Sequence, residues 1–230
     1  MRIGVPAEIM NNEKRVALTP HGVSTLVGDG HEVLIQSGAG VGASFDDARY
    51  ESCGARIVPT AADAWAADLV LKVKEPLEEE FGFLRGDQTL FTYLHLAAAP
   101  ELTRRLMEAG TTAIAYETVT DSRGGLPLLA PMSQVAGRLA VIEGAHHLVR
   151  SRGVLLSGVP GTPAARVVVV GGGQVGASAV AMAFGLRAEV TVIDLDPAVL
   201  QRFDDQYSGG VRTVVSNPCL LYTSPSPRDS

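Results

Sequence analysis

The stretch VVVVGGGQVGASAV, at residues 167–180, limits the possible folds of this chain more than any other. Four consecutive valines are typical of a strand buried on both faces of a parallel sheet. Gly171, Gly173 and Gly176 then form the pattern G-x-G-x-x-G, and the small residues after them favour a helix. A strand, a glycine-rich turn and a helix in this order predict the start of a βαβ unit.

This turn has the features of a dinucleotide-binding site. Gly171 would make the tight turn, Gly173 would let the backbone approach a pyrophosphate, and Gly176 would let helix and strand pack closely. A second predicted strand ends before Asp194, eighteen residues beyond the last glycine. An acid at this spacing accepts hydrogen bonds from the adenosine ribose, which favours NAD over NADP. The alternative is a tight turn that binds nothing.

Strands and helices also alternate through the first half of the chain. Short apolar runs predict six strands: Arg2–Val5, Glu32–Gln36, Arg56–Val58, Leu69–Val73, Thr89–Leu94 and Ala113–Tyr116. Helices are expected between them: near His21–Gly28, Asp46–Ser52, Ala61–Ala66 and Glu101–Ala109. Such alternation is typical of a mostly parallel sheet with helices on its faces.

The turn-rich segment around Asp121–Pro131 indicates a crossing between two domains. We therefore predict an α/β chain of two Rossmann-like, doubly wound parallel-sheet domains, of which the second is incomplete. Residues 1–128 would form a substrate domain, and residues 129–217 the first half of an NAD-binding domain. A long helix is expected from Met132 to Val149, with an apolar stripe: Val135, Leu139, Ile142 and Leu148.

Composition excludes several classes of protein. Apolar residues make up 46% and charged residues 19%, which is a globular balance, and the net charge of −6 includes no cluster of Lys or Arg. We therefore expect neither a nucleic-acid partner nor an anionic membrane partner. The sequence has no apolar run of about eighteen residues and no signal-like N-terminus, so we expect a cytoplasmic protein. Two cysteines and no ligand-spaced cluster predict neither a disulfide framework nor a metal site.

Residues that could act on a substrate are expected where the strands of the first sheet end, since open α/β sheets bind ligands there. The run DLVLKVKEP would place Lys72 and Lys74 on one face of a strand, with Lys74 just before the break at Pro76. His95 ends the run TLFTYLH, and Arg15 lies in the polar loop NNEKRVALTP. Each also has an ordinary alternative, as a solvated cation or a hydrogen-bonded scaffold histidine.

Six sequence blocks together resemble the alanine dehydrogenases, within the alanine dehydrogenase/pyridine nucleotide transhydrogenase family. They are MRIGVPAEIMNNEKRVALTP, HEVLIQSGAGVGASF, DLVLKVKEP, LFTYLHLAA, AIAYETV and PLLAPMSQVAGRLA. The resemblance runs from Met1 to about Pro218. It implies an enzyme that reversibly deaminates L-alanine to pyruvate and ammonia with NAD, and that assembles as a hexamer.

The resemblance also implies roles for individual residues. Arg15 and Lys74 would bind the substrate, and His95, together with Lys74, would be catalytic. Ser133 and Ser216 would join Gly171, Gly173, Gly176 and Asp194 as cofactor-binding residues. These roles are chemically coherent because two cations suit a carboxylate substrate, and a histidine moves protons near neutral pH.

The last twelve residues, CLLYTSPSPRDS, differ from the rest of the chain. Family sequence is expected to run on after Pro218 and to supply an aspartate facing the nicotinamide, and no residue here matches it. The segment resembles translated adapter sequence, so we expect residues 218–230 to be artefactual. The 230-residue chain expressed as written is therefore expected to be poorly soluble or inactive, and dehydrogenase activity with L-alanine and NAD would contradict this.

Other functions remain open at this stage. The chain could be the NAD-binding part of a proton-translocating transhydrogenase, although the KVKEP and LHLAA combination favours alanine dehydrogenase. It could also be a non-catalytic nucleotide-binding module, in which Lys74 and His95 are scaffold residues. Related dehydrogenases that use lysine-derived substrates are a further alternative.

Overall fold

The structure, a computed structural model, describes residues 1–217, which fall into two compact units: residues 1–128, and Leu129 onward. The segment expected to be artefactual, residues 218–230, lies outside the described residues. The α/β fold class predicted from the sequence is confirmed, with one parallel sheet in each unit.

Unit 1 is built on a sheet of six parallel strands. They are β1 (Arg2–Val5), β2 (Glu32–Gln36), β3 (Arg56–Val58), β4 (Leu69–Leu71), β5 (Thr89–Thr92) and β6 (Thr112–Ala115). Their order is β3-β2-β1-β4-β5-β6, so the strand order reverses between β1 and β4. Ligands of open α/β sheets bind outside the carboxyl ends of the strands at such a reversal.

The helices of unit 1 are α1 (Pro20–Gly28), α2 (Asp47–Ser52), α3 (Ala61–Trp65) and α4 (Pro100–Ala109). Side-chain caps begin three of them: Thr19 accepts from the N–H of Gly22, Asp46 from that of Arg49, and Thr60 forms a capping box with Asp63. Short 3₁₀ turns follow two of the strands, at Leu96–Ala98 and Tyr116–Thr118.

Unit 2 contains a smaller sheet and three helices among its described residues. The elements are α5 (Ala130–Arg152), β7 (Arg166–Val170), α6 (Gln174–Gly185), β8 (Glu189–Asp194), α7 (Pro197–Tyr207) and β9 (Arg212–Val215). The strands are parallel in the order β7-β8-β9. The core lies between this sheet and helices α5, α6 and α7, around Val180, Val192 and Phe203.

Three features of the predicted elements were wrong, and one is that the strand predicted over Thr89–Leu94 ends at Thr92. The strand predicted over Leu69–Val73 ends at Leu71, so Lys72 and Lys74 do not share a strand face. Beyond the strand, the Glu8 carboxylate accepts from the backbone N–H groups of Val73 and Lys74.

The apolar stripe predicted for α5 does not face the core. Val135, Leu139 and Ile142 are exposed, whereas Gly137 and Val141 are buried. The reason is close packing of α5 on α6, because a Cβ at Gly137 would overlap the carbonyl oxygen of Val175. The small size of Gly137, rather than the spacing of apolar residues, therefore determines which face of α5 packs against α6.

Candidate functional site

In unit 1, four neighbouring strands end at the same edge of the sheet, and each is followed by a charged or titratable side chain. Glu8 follows β1, Lys74 follows β4, His95 follows β5 and Glu117 follows β6. Because β1, β4, β5 and β6 are adjacent in the sheet, residues more than a hundred positions apart are brought to one edge.

Hydrogen bonds to its backbone N–H and to its backbone carbonyl fix Lys74 in place. The Glu8 carboxylate accepts hydrogen bonds from the N–H of Val73 at 2.6 Å and from that of Lys74 at 3.4 Å. On the other side, the Thr92 hydroxyl donates to the carbonyl of Lys74 at 2.9 Å. The half-buried Lys74 side chain therefore starts from a fixed backbone position.

Lys72 supports this arrangement from inside the protein. Its ammonium group lies 3.2 Å from Glu8 Oε2 and 2.9 Å from Glu80 Oε1, and the residue is only 1% exposed. Burial raises the pKa of the Glu8 carboxyl, and the Lys72 charge and the backbone N–H donors only partly offset that rise. Lys72 is thus a buried structural cation between two carboxylates.

Arg15 is paired with its neighbour Glu13. The Glu13 carboxylate accepts from Arg15 Nε at 2.8 Å, from Nη2 at 2.6 Å and from the Arg15 backbone N–H. The hydrogen bond from the Arg15 side chain is the main cause that lowers the pKa of Glu13 to about 2. The positive charge of Lys74 also contributes to lowering the pKa of Glu13, so Arg15 and Lys74 lie in one electrostatic neighbourhood.

His95 adopts an unusual backbone conformation at this edge. Its φ of 49° and ψ of 37° lie in the left-handed region, and its side chain is exposed. The ring of Tyr93 lies nearly parallel to the imidazole, with centroids 6.1 Å apart. A cavity of about 420 Å³ is lined by His95 and Glu117 together with small residues: Ala97, Ala98, Ala115 and Thr118.

Aromatic rings pack behind the histidine. Tyr116 contacts Tyr93 edge-on at 5.1 Å and Phe91 at 4.3 Å, and burial raises the pKa of the Tyr116 hydroxyl above its usual range. The hydroxyl of Tyr93 donates to the carbonyl of Leu128 at 2.6 Å, at the end of unit 1. Three aromatic rings, those of Phe91, Tyr93 and Tyr116, thus pack together next to His95.

In unit 2, the glycine turn has the geometry that its sequence pattern predicts. Gly171 has a φ of 92°, and a Cβ at Gly176 would overlap the Gly171 carbonyl oxygen. Gly173 is the N-cap of α6, and no side chain caps that end of the helix. The N–H groups of the first turn are therefore available to an anion, so these residues fit the pyrophosphate of a dinucleotide.

Asp194 ends β8 beside this turn. Its carboxylate accepts from the N–H groups of Gly172 at 2.5 Å and of Asp196 at 2.9 Å, which keep its pKa below the usual value. Ser216 follows β9 and donates its N–H to the Asp194 carbonyl at 2.8 Å. Ser133 lies in the first turn of α5. Asp194 and Ser216 are thus adjacent at the carboxyl edge of the second sheet.

Sequence reasoning singled out Arg15, Lys74 and His95 but missed the carboxylates that hold them: Glu8, Glu13 and Glu117. A signal was available for two of these, because Glu8 and Glu117 follow predicted strands just as Lys74 and His95 do. Lys72 was treated as a partner of Lys74, whereas its charge is buried.

Among residues 1–217, none of the helices combines the length and the apolar character that a membrane span requires. The same residues include no group of three or more His, Cys, Asp and Glu side chains arranged to hold a metal ion.

Comparison with known proteins gives consistent results. Residues 4–136 match the model of the alanine dehydrogenase/PNT N-terminal domain, and residues 140–224 match that of the C-terminal domain. The alanine dehydrogenase of Halomonas elongata is 56% identical over 225 residues, which are 96% of this chain and 61% of that protein. The chain thus spans about 60% of the length of the curated relatives it matches.

Two solved structures extend the comparison. An L-alanine dehydrogenase superposes with a TM-score of 0.90 at 51% identity, covering 97% of this chain and 63% of that one. A transhydrogenase from Sinorhizobium meliloti superposes with a TM-score of 0.80 at 30% identity, covering 96% and 65%. On the sequence matches and this fold, the chain belongs to the alanine dehydrogenase/PNT family.

Proposed function

We propose that the protein is an NAD-dependent alanine dehydrogenase, which reversibly converts L-alanine to pyruvate and ammonia. The observation that carries this proposal is the gathering of Lys74 and His95 at one edge of the six-stranded sheet, with Arg15 in the same electrostatic neighbourhood as Lys74. Proteins named alanine dehydrogenase that are about half identical to this chain support the choice of substrate.

In this proposal, the substrate is held by charge. Arg15 offers a planar guanidinium that suits a carboxylate, and its pairing with Glu13 fixes the direction of the side chain. Lys74 adds a second cation, which would polarise the carbonyl oxygen of pyruvate and share in catalysis. Holding a small amino acid at two points removes much of the entropic cost of reaction.

His95 would move protons. When bound, NAD accepts the hydride that leaves the Cα of alanine, which turns the amine into an imine. Water then adds to the imine carbon, and the C–N bond breaks to release ammonia. An exposed imidazole beside the cavity can take a proton from the attacking water, return one to the leaving amine, and take the hydroxyl proton as the carbonyl of pyruvate forms.

The second half of the proposal concerns the cofactor. We assign cofactor binding to Gly171, Gly173, Gly176, Asp194, Ser133 and Ser216, so that residues 129–217 are the NAD-binding domain and residues 1–128 the substrate domain. The uncapped N-terminus of α6 and the carboxylate at the end of β8 support this division. The family resemblance of the sequence also leads us to propose a cytoplasmic homo-hexamer without nucleic-acid or membrane partners.

The test is the oxidation of L-alanine by NAD, followed through NADH formation in the full-length gene product. We expect NADH formation that requires both L-alanine and NAD, and its reversal by pyruvate with ammonium. A full-length protein that transfers hydride between nicotinamide nucleotides and ignores L-alanine would contradict the proposal and favour a transhydrogenase. The higher identity to alanine dehydrogenase than to the transhydrogenase favours the first result.

A further inference from the structure

We propose that Glu117 is a positioning residue, which holds the backbone at His95 so that the imidazole faces the cavity. This inference rests on the proposed function, because it assigns a role through His95. Glu117 was not among the residues predicted from the sequence. Its role follows from its hydrogen bonds to the backbone of Leu94 and His95 rather than from any contact with substrate.

The carboxylate of Glu117 caps the end of β5. Its Oε1 accepts from the N–H of His95 at 2.7 Å and from that of Leu94 at 3.1 Å, and its Oε2 lies 3.3 Å from the Leu94 nitrogen. Hydrogen bonds to an ionised acceptor are among the stronger ones in proteins. One side chain from the end of β6 thus fixes two consecutive peptide groups of the neighbouring strand.

These peptide groups need such a partner because the chain turns sharply there. His95 is in the left-handed region, which costs a non-glycine residue about 1–2 kcal/mol. Leu94 is only 1% exposed, so without Glu117 its N–H would lose its acceptor where water has little access. The backbone would then relax towards the ordinary extended or helical regions, and the imidazole would move with it.

Glu117 is suited to accept hydrogen bonds rather than to exchange protons. Although burial opposes its ionisation, the N–H groups of His95 and Leu94 and the nearby imidazole keep its pKa below the usual value. It is therefore ionised at neutral pH and acts as a fixed acceptor. Glu117 and His95 both line the same cavity.

Two substitutions of Glu117 separate the loss of its charge from the loss of its hydrogen-bond acceptor. Glu117→Gln keeps the length and one acceptor oxygen, which is the oxygen that makes the shortest bond. Glu117→Ala removes both oxygens. The matched control is Glu108→Ala, since Glu108 lies on α4 and pairs only with surface arginines among the contacts the structure gives it.

The experiment measures kcat and KM for L-alanine and NAD in the full-length gene product. We expect Glu117→Ala to lower kcat about 100-fold, which is the effect of a misplacement near 1 Å, with the KM for NAD unchanged. Glu117→Gln should recover most of that loss, and Glu108→Ala should match the wild type. If Glu117→Ala does not fold, Glu117→Gln must still lower kcat measurably.

A double-mutant comparison tests whether the effect runs through His95. In a His95→Gln background, assayed at high enzyme concentration, adding Glu117→Ala should lower the residual kcat by less than about threefold, because effects of residues that act as a unit are not additive. An equal 100-fold loss in both backgrounds, or a Glu117→Ala enzyme like Glu108→Ala, would overturn the inference. A wild type without L-alanine turnover would instead overturn the proposed function and this inference with it.

Discussion

The two units place different groups at the same part of the fold, the carboxyl edge of a parallel sheet. Unit 1 ends its strands in charged side chains, and carboxylates such as Glu8 and Glu117 bond the backbone that carries them. Unit 2 ends its first strand in glycines and leaves backbone N–H groups open at the start of a helix. Side chains suit a small charged substrate, whereas bare backbone suits phosphate, which needs close approach.

The difference extends into the interior. Unit 1 buries the Lys72 ammonium group between two carboxylates, and one of them, Glu8, also bonds the backbone at the edge of the sheet. Unit 2 relies on close contact between backbones, at Gly137 and at Gly176. We therefore expect unit 1 to be most sensitive to loss of charge and unit 2 to be most sensitive to added volume.

The largest effect should come from Lys72→Met in unit 1. The change leaves Glu8 and Glu80 buried without their cation, and removing one partner of a buried ion pair costs about 3–5 kcal/mol of unfolding free energy. Urea unfolding followed through Trp65, the single tryptophan, reports on this unit. The control, Arg104→Met, removes two exposed pairs, with Glu101 and with Glu108, and should cost less than about 1 kcal/mol. Similar losses for the two variants would refute the buried network.

A smaller effect is expected from Gly176→Ala in unit 2. The new methyl group would overlap the carbonyl oxygen of Gly171, and overpacking of this kind costs about 1–3 kcal/mol. We expect NAD affinity, measured by titration calorimetry on the full-length protein, to fall at least about tenfold because the turn must shift. Gly185→Ala on the same helix meets no atom within 4 Å and should bind NAD like the wild type. A loss shared by both variants would mean that the turn is not responsible.

The smallest effect concerns Glu13, and it should vary with pH. Its pKa is lowered from 4.5 to about 2, so the pair with Arg15 stabilises the fold above pH 4.5 and is lost as the pH falls towards 2. The full shift corresponds to about 3 kcal/mol, which screening around the half-exposed Arg15 reduces.

The corresponding measurement is the free energy of unfolding of the wild type and of Glu13→Gln at several pH values. It is obtained from urea unfolding followed by Trp65 fluorescence. The difference in unfolding free energy should be largest near neutrality and should shrink between pH 4.5 and pH 2. A difference that does not vary with pH would show that the carboxylate charge contributes nothing.

How far the sequence could predict these sites also differs between the units. The turn in unit 2 is contiguous, so one stretch of residues carries the strand, the glycines and the helix start. The site of unit 1 is assembled from strands whose order in the sheet is not their order in the chain. Glu117 bonds the peptide group of His95, twenty-two residues earlier, only because β5 and β6 are neighbours.

Lys72 and the α5 stripe show a second limit. Alternation along DLVLKVKEP suggested two equivalent lysines, but a strand that stops at Leu71 buries one and leaves the other at the site. Apolar spacing on α5 indicated the wrong face because the contact with α6 is decided by the absence of a side chain at Gly137. The spacing of apolar residues predicts which helix face is hydrophobic. It does not predict a helix contact that depends on a missing side chain.

The central claim is that unit 1 performs the proton chemistry while unit 2 holds NAD. The most direct test is His95→Gln in the full-length protein, with NAD affinity and L-alanine turnover measured on the same sample. We predict an unchanged dissociation constant for NAD and a fall in turnover of about 100-fold or more, as expected for loss of a general acid–base group. Unchanged turnover in a variant that still binds NAD would contradict the claim and leave His95 as scaffold.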